Sequence, residues 1–135
     1  VTAPFLGSDT WTNSQLLKSV PEVDGAYFCA HYNPDAMEDK VGIFRGAYEN
    51  RYNKEVPDDG AALTYDAIYL LKQAFETAAK DERDSVREAF SKITSFDGVT
   101  GKIVFKGGSP DPVKSVVIKQ FKAGKISFVT NIDPD

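Results

Sequence analysis

Residues 61–79, AALTYDAIYLLKQAFETAA, constrain the fold more than any other stretch of the chain. Leu63, Ala67, Leu70, Leu71, Ala74, Phe75 and Ala78 recur at three- and four-residue steps, which on a 3.6-residue period gathers them on one apolar stripe. Thr64, Asp66, Lys72, Gln73 and Glu76 lie mostly off it. Alanine and leucine are strong helix formers, and the Pro57-Asp58-Asp59-Gly60 turn supplies a start signal. The spacing predicts a central helix of about five turns whose stripe needs a core.

The rest of the chain supplies partners for that helix in alternating pieces. Residues 3–6 (APFL) read as a strand ending in the turn Gly7-Ser8-Asp9-Thr10, and Thr12 with Gln15 has capping-box spacing for a helix over 13–20 that Pro21 stops. Residues 25–32 (GAYFCAHY) read as a buried strand of aromatic and small residues. Asn33-Pro34-Asp35 is turn chemistry. Asp35 is positioned to cap a helix over 36–52, on which Met37, Val41, Phe44, Tyr48 and Tyr52 share a face. A third helix over 84–93 sets Val86, Ala89, Phe90 and Ile93 on one side. Beyond Phe96 the runs become β-branched and glycine-punctuated: a strand over 101–106, a loop over 107–112, then a hairpin of 113–121 with 125–132 around Ala123-Gly124. Without internal repeats, this order points to an open α/β architecture.

The 135 residues are enough for one buried core. A net charge of -4 and a pI near 5.0 argue against nucleic-acid or anionic-membrane partners, which need a positive surface. No apolar run approaches the roughly 20 residues of a membrane span, and residues 1–9 lack the basic start and apolar run of a secretory signal. A soluble chain is expected, and its start at Val1, in what reads as the end of a strand, fits a fragment or a processed product.

Cys29-Ala30-His31 holds the only cysteine and the only histidine. Strand alternation points both to one face with no second pair to complete a tetrahedral site, so no metal or other cofactor is expected; a buried cysteine and a polar edge histidine explain the pair more simply. They also cannot assemble a nucleophile, base and orienting group, so no catalytic residue is assigned. Gly98 to Lys102 is too short for a phosphate-binding loop and leads into a strand. Six lysines between Lys102 and Lys125, interleaved with Ile103, Phe105, Val117 and Phe121, invite comparison with base-stacking platforms, but solvated strand faces account for them. The most informative polar cluster is Ser8-Asp9-Thr10-Trp11. A carboxylate at the carboxyl end of a strand, just before a helix, sits where open α/β sheets hold their ligands. There Asp9 could pair with an ammonium, and Trp11 could wall off the site. The competing reading makes Asp9 a turn or capping residue and Trp11 a core filler.

Five segments in order carry a resemblance: LGSDTW at 6–11, DGAYF at 24–28, FRGAYENRY at 44–52, VPDDGAALTYDA at 56–67 and GVTGKIVF at 98–105. Together they resemble the C-terminal part of type I periplasmic binding proteins, nearest the branched-chain amino-acid (leucine/isoleucine/valine) receptors of ABC importers. The resemblance implies two Rossmann-like lobes of three α/β/α layers joined by three crossovers, with ligand clamped between them. Residues 1–32 would belong to the second lobe, 33–112 to the first, and 113–135 would return to the second as a final hairpin. The N-terminal portion of the family, with most strands of both sheets, would be missing.

By the same resemblance Asp9 takes the role of the acid that binds a ligand's α-ammonium, with Ser8, Thr10 and Trp11 as adjacent candidates. The expected protein is not an enzyme. It is a periplasmic or extracellular solute-binding segment, lipid-anchored or secreted in its parent, with a small-molecule ligand such as an amino acid and the membrane subunits of an ABC importer as partners. A sensor domain of a receptor or regulator built on the same fold is the alternative reading, and a small hydrolase using Asp9 or Cys29 a distant third. A fragment exposing sheet edges is expected to self-associate or swap elements. After Phe105 the chain departs from the family, with Lys106 and then Gly108-Ser109-Pro110-Asp111-Pro112 where an aspartate and a Gly-Asp-Pro turn are usual, which leaves the shape of that loop open.

Overall fold

The computed structural model describes residues 3–12, 19–106 and 109–134. In chain order its main elements are β1 (Leu6–Gly7), β2 (Tyr27–Ala30), α1 (Asp39–Arg51), α2 (Asp59–Thr77), α3 (Arg83–Ser91), β3 (Ser95–Gly98), β4 (Gly101–Phe105), β5 (Pro112–Lys114), β6 (Val116–Lys122) and β7 (Lys125–Ile132). They form two sheets, one ordered β1-β2-β6-β7 and one ordered β3-β4-β5. β1 and β2 run parallel; every other pairing is antiparallel.

Period-two alternation builds the four-stranded sheet. Ala30 opposite Val117, with Phe28 and Phe121 on the same face, closes a core with Val23 and Ala26. The Phe28 and Phe121 rings stack at 4.7 Å. β6 and β7 are joined by Ala123-Gly124, both at positive φ (52° and 74°), the mirror-image turn whose twist suits a two-residue hairpin. The register slips by one residue after Ile118, so Val129 has no partner on β7.

α2 opens as expected, with the Asp58 carboxylate accepting from the Ala61 amide at 2.8 Å. Its buried stripe is narrower than periodicity predicts. Ala62, Asp66, Leu70 and Ala74 are buried at strict four-residue steps, whereas Ala67, Leu71 and Phe75 are exposed. Asp66, read as off the stripe, is in its middle: the carboxylate accepts from the Val99 amide (2.8 Å), the Thr100 amide (2.9 Å) and the Thr100 hydroxyl (2.6 Å), which anchors the β3–β4 turn on the helix. Gly98 permits this approach, since any Cβ there would overlap the Asp66 carboxyl.

α1 starts at Asp39 instead of directly after Asp35. Asn33 Oδ1 accepts from the Asp35 amide and the Asp35 carboxylate pairs with Arg45, so the expected cap is engaged elsewhere. Glu38 takes the N-cap position without a side-chain cap, and Met37 is 98% exposed. Val41 and Phe44 are buried as expected, Tyr48 is half-buried and Tyr52 is exposed. α3 ends two residues earlier than predicted, yet Val86 and Ile93 pack with Leu70 and Ala74 of α2.

Two strand expectations change. Residues 95–98 form a strand that pattern reading missed. The run expected over 113–121 is two strands in different sheets, divided at Ser115, so one residue carries the chain from the three-stranded sheet to the four-stranded one. The helix expected over 13–20 and its Thr12–Gln15 capping box fall largely on residues 13–18, outside the described residues, as do Gly107 and Gly108. No helix among the described residues is long and apolar enough to cross a membrane.

Candidate functional site

β1 ends at Gly7 and runs directly into a 3-10 turn, Asp9–Thr12. The Trp11 amide closes the turn on the Ser8 carbonyl at 3.1 Å, and the Ser8 and Thr10 hydroxyls bond to each other at 2.8 Å. Trp11 folds back under the turn. Its ring lies against Gly7, where a Cβ would overlap it, and 6.2 Å from the Phe121 ring, so it packs against the core of the four-stranded sheet. Ser8, Asp9 and Thr10 are left on the outside, with the Asp9 side chain 51% exposed. The turn thus separates the four expected site residues into three outward polar groups and one ring serving the core.

The nearest partner of Asp9 comes from β2. His31 Nε2 lies 3.3 Å from Asp9 Oδ2, and because a carboxylate only accepts, the imidazole N–H is the donor. His31 is no free edge residue. Its amide donates to Asp59 Oδ2 at the start of α2, and its carbonyl accepts from Lys114 Nζ at 3.1 Å. Asp59 Oδ1 in turn lies 3.3 Å from Lys119 Nζ, with both side chains 9% exposed. Burial lowers the Lys114 pKa from its ordinary value, while the Asp66 and Asp59 carboxylates oppose the shift. Cys29 is half-buried, with its Sγ 4.0 Å from the Gly7 carbonyl.

Beside this relay lies a cleft of about 650 Å³, bounded by Thr12, Asn33, Asp58, Asp59 and Lys119 and by Ile126 and Phe128 of the final hairpin. Arg45 and Asp35 extend its polar wall; Glu49 and Asp35 raise the Arg45 pKa by accepting from the guanidinium. The adjoining Tyr32 hydroxyl is buried without a partner, and burial, opposed by Arg45, pushes its pKa up to about 12. Among the described residues no group of three or more His, Cys, Asp or Glu side chains could hold a metal ion.

Sequence reading missed the participation of Asp59, Lys114 and Lys119. Lys119 and Lys114 are not solvated strand lysines: one is buried in an ion pair, the other half-buried against a backbone carbonyl. A signal was present for Lys119, which shares the i, i+2 face of Val117 and Phe121 and so occupies a core position that only a paired charge could fill.

The model of the Periplasmic binding protein family matches residues 2–125. The chain belongs to this family. No match is found among curated proteins. Among solved structures, the chain is similar to the leucine binding protein LivK of Thermotoga maritima, with 30% identity and a TM-score of 0.86 over 99% of this chain and 38% of that one. It is also similar to the branched-chain amino acid transporter substrate binding protein LivJ of Streptococcus pneumoniae in complex with isoleucine (26%, 0.78, 97% and 37%). A solute binding protein of R. palustris in complex with benzoate shares the fold at 23% identity (0.78, 97% and 36%). This family member therefore has the type I periplasmic binding protein fold and spans a little over a third of the length of these relatives.

Proposed function

We propose that the chain is the ligand-capturing part of an extracytoplasmic solute-binding protein, which delivers an amino acid or a similar small molecule to the membrane subunits of an ABC importer and performs no chemistry on it. One observation carries this reading: a half-exposed carboxylate, Asp9, stands at the carboxyl end of a strand, joined through His31 to the wall of a cleft. A ligand ammonium there would make charge-assisted hydrogen bonds with Asp9, while the Ser8 and Thr10 hydroxyls beside it offer further polar contacts. Trp11 acts as a wall through its packing under the turn.

In this reading residues 1–32 and 113–135 are parts of one lobe and 33–112 part of the other. Ligand favours the closed arrangement by its differential affinity, and the two crossovers, after β2 and at Ser115, form part of the hinge. The compartment is periplasmic or extracellular. Ile68, Leu71 and Phe75, exposed on α2, support self-association of the isolated 135 residues.

Isothermal titration of the full-length protein with L-leucine, L-isoleucine and 4-methylpentanoate, which is leucine without its amine, tests the assignment. A charge-assisted hydrogen bond worth about 1.5 to 3 kcal/mol predicts that Asp9→Asn weakens amino-acid binding by roughly 10- to 150-fold and leaves the amine-free acid unaffected. Unchanged leucine and isoleucine affinity in Asp9→Asn would falsify it.

A further inference from the structure

The Asp9 carboxylate is not vacant. It already holds the imidazole of His31, the single histidine among the 135 residues. That ring is not free to swing away with its backbone, because the His31 amide is tied to Asp59 and its carbonyl to Lys114. The groups that face it come from four elements: Asp9 from the 3-10 turn, Asp59 from α2, Lys114 from β5, and Lys119 from β6 acting through Asp59. Cys29 shares its side of β2, two residues earlier.

We infer that His31 is the resident partner of Asp9, one that a ligand ammonium must share when neutral and compete with when protonated, so that amine affinity falls on acidification. This rests on the assignment of Asp9 as the ammonium acceptor. A neutral imidazole donates one N–H to Asp9 Oδ2 and leaves the full negative charge to a second donor, whereas an imidazolium neutralises that charge and repels an incoming ammonium. Imidazoles ordinarily change charge near pH 6.5, while exposed aspartates stay ionised down to about pH 4 and the ligand's own amine and carboxylate keep their charges throughout. Between about pH 7.5 and 5.5, therefore, His31 alters the charge at Asp9 while ligand and acceptor do not. His31 acts as a positioning residue at the upper end of this range and as an internal competitor at the lower end.

The experiment is a calorimetric titration of the full-length protein with L-leucine at about pH 7.5 and 5.5, for wild type, His31→Gln, His31→Lys and Asp9→Asn. Wild type should lose about tenfold in affinity on acidification. His31→Gln keeps a donor without a titration and should be flat, and His31→Lys, a permanent cation, should be weak at both values. A flat wild-type profile, or tighter binding at the lower pH, overturns the inference without requiring any variant to fold. So does a wild-type slope that survives in His31→Gln. In each of those cases Asp9→Asn that remains weak at both pH values leaves the ammonium assignment standing, whereas Asp9→Asn that binds leucine like wild type removes that assignment and this inference together.

Discussion

Two aspartates on one helix, seven residues apart, serve opposite ends. Asp66 is 2% exposed and satisfied by two amides and a hydroxyl, all from Val99 and Thr100. Asp59, at the mouth of the same helix, is tied to an amide and to Lys119 on the other sheet, and it lines a cleft. The first carboxylate is held by fixed dipoles within one hairpin and does a single structural job. The second is held by a mobile cation and by the backbone of the residue that touches Asp9, so its state and that of the candidate site are connected. A buried acid saturated by local amides is a fastener; one that shares its lone pairs with titratable groups beside a cleft can respond to ligand.

Substitutions can break or sharpen that contrast. Asp66→Ala would leave the Val99 and Thr100 amides buried without acceptors, and at about 1 to 3 kcal/mol for each unsatisfied group the loss of stability should reach roughly 3 to 5 kcal/mol in denaturant unfolding. A loss below about 1 kcal/mol would mean that the hairpin does not depend on it. Lys119→Met should cost somewhat less, about 2 to 4 kcal/mol, because Asp59 keeps the His31 amide. Adding Asp59→Asn should then recover part of the loss, and a double variant no better than the single one would refute a net charge pair.

Tyr32→Phe removes a buried hydroxyl that has no partner, so stability should be unchanged or rise by up to about 1 kcal/mol near neutral pH. Tyr32 also has a sign to check at alkaline pH. Its folded pKa of about 12 lies above the ordinary value of 10.0, so its contribution is complete below pH 10 and lost as pH climbs towards 12. Wild type should weaken over that window more than the Phe variant, and parallel curves would contradict the buried position. Asp9→Asn, half-exposed, should alter stability by less than about 0.5 kcal/mol even while it damages ligand binding. A large melting shift there would recast Asp9 as a structural residue.

Much of the fold was legible in local pattern. Asp58 as a cap, the α2 helix, the two-residue hairpin at Ala123-Gly124 and the burial of Phe28 and Phe121 all follow from signals within a few residues of each other. The width of the α2 stripe was not legible. Leu71 and Phe75 have helical spacing, but burial depends on what is packed against a face, and the β3–β4 turn meets the row containing Ala62, Asp66 and Leu70. The split at Ser115 escaped for a similar reason: a continuous β-branched run contains no mark of which sheet each half will join.

The site divides the same way. Asp9 and its turn were visible because a strand end, a glycine and short polar side chains are neighbours in sequence, and the ordered motifs were enough to indicate the family. Tertiary structure alone brought His31 to Asp9 across 22 residues, Asp59 to Lys119 across 60 and Lys114 to the His31 carbonyl across 83. Charge pairing across such separations depends on strand order and register. Local composition says only that a charge exists, and the fold decides which partner relieves the cost of burying it.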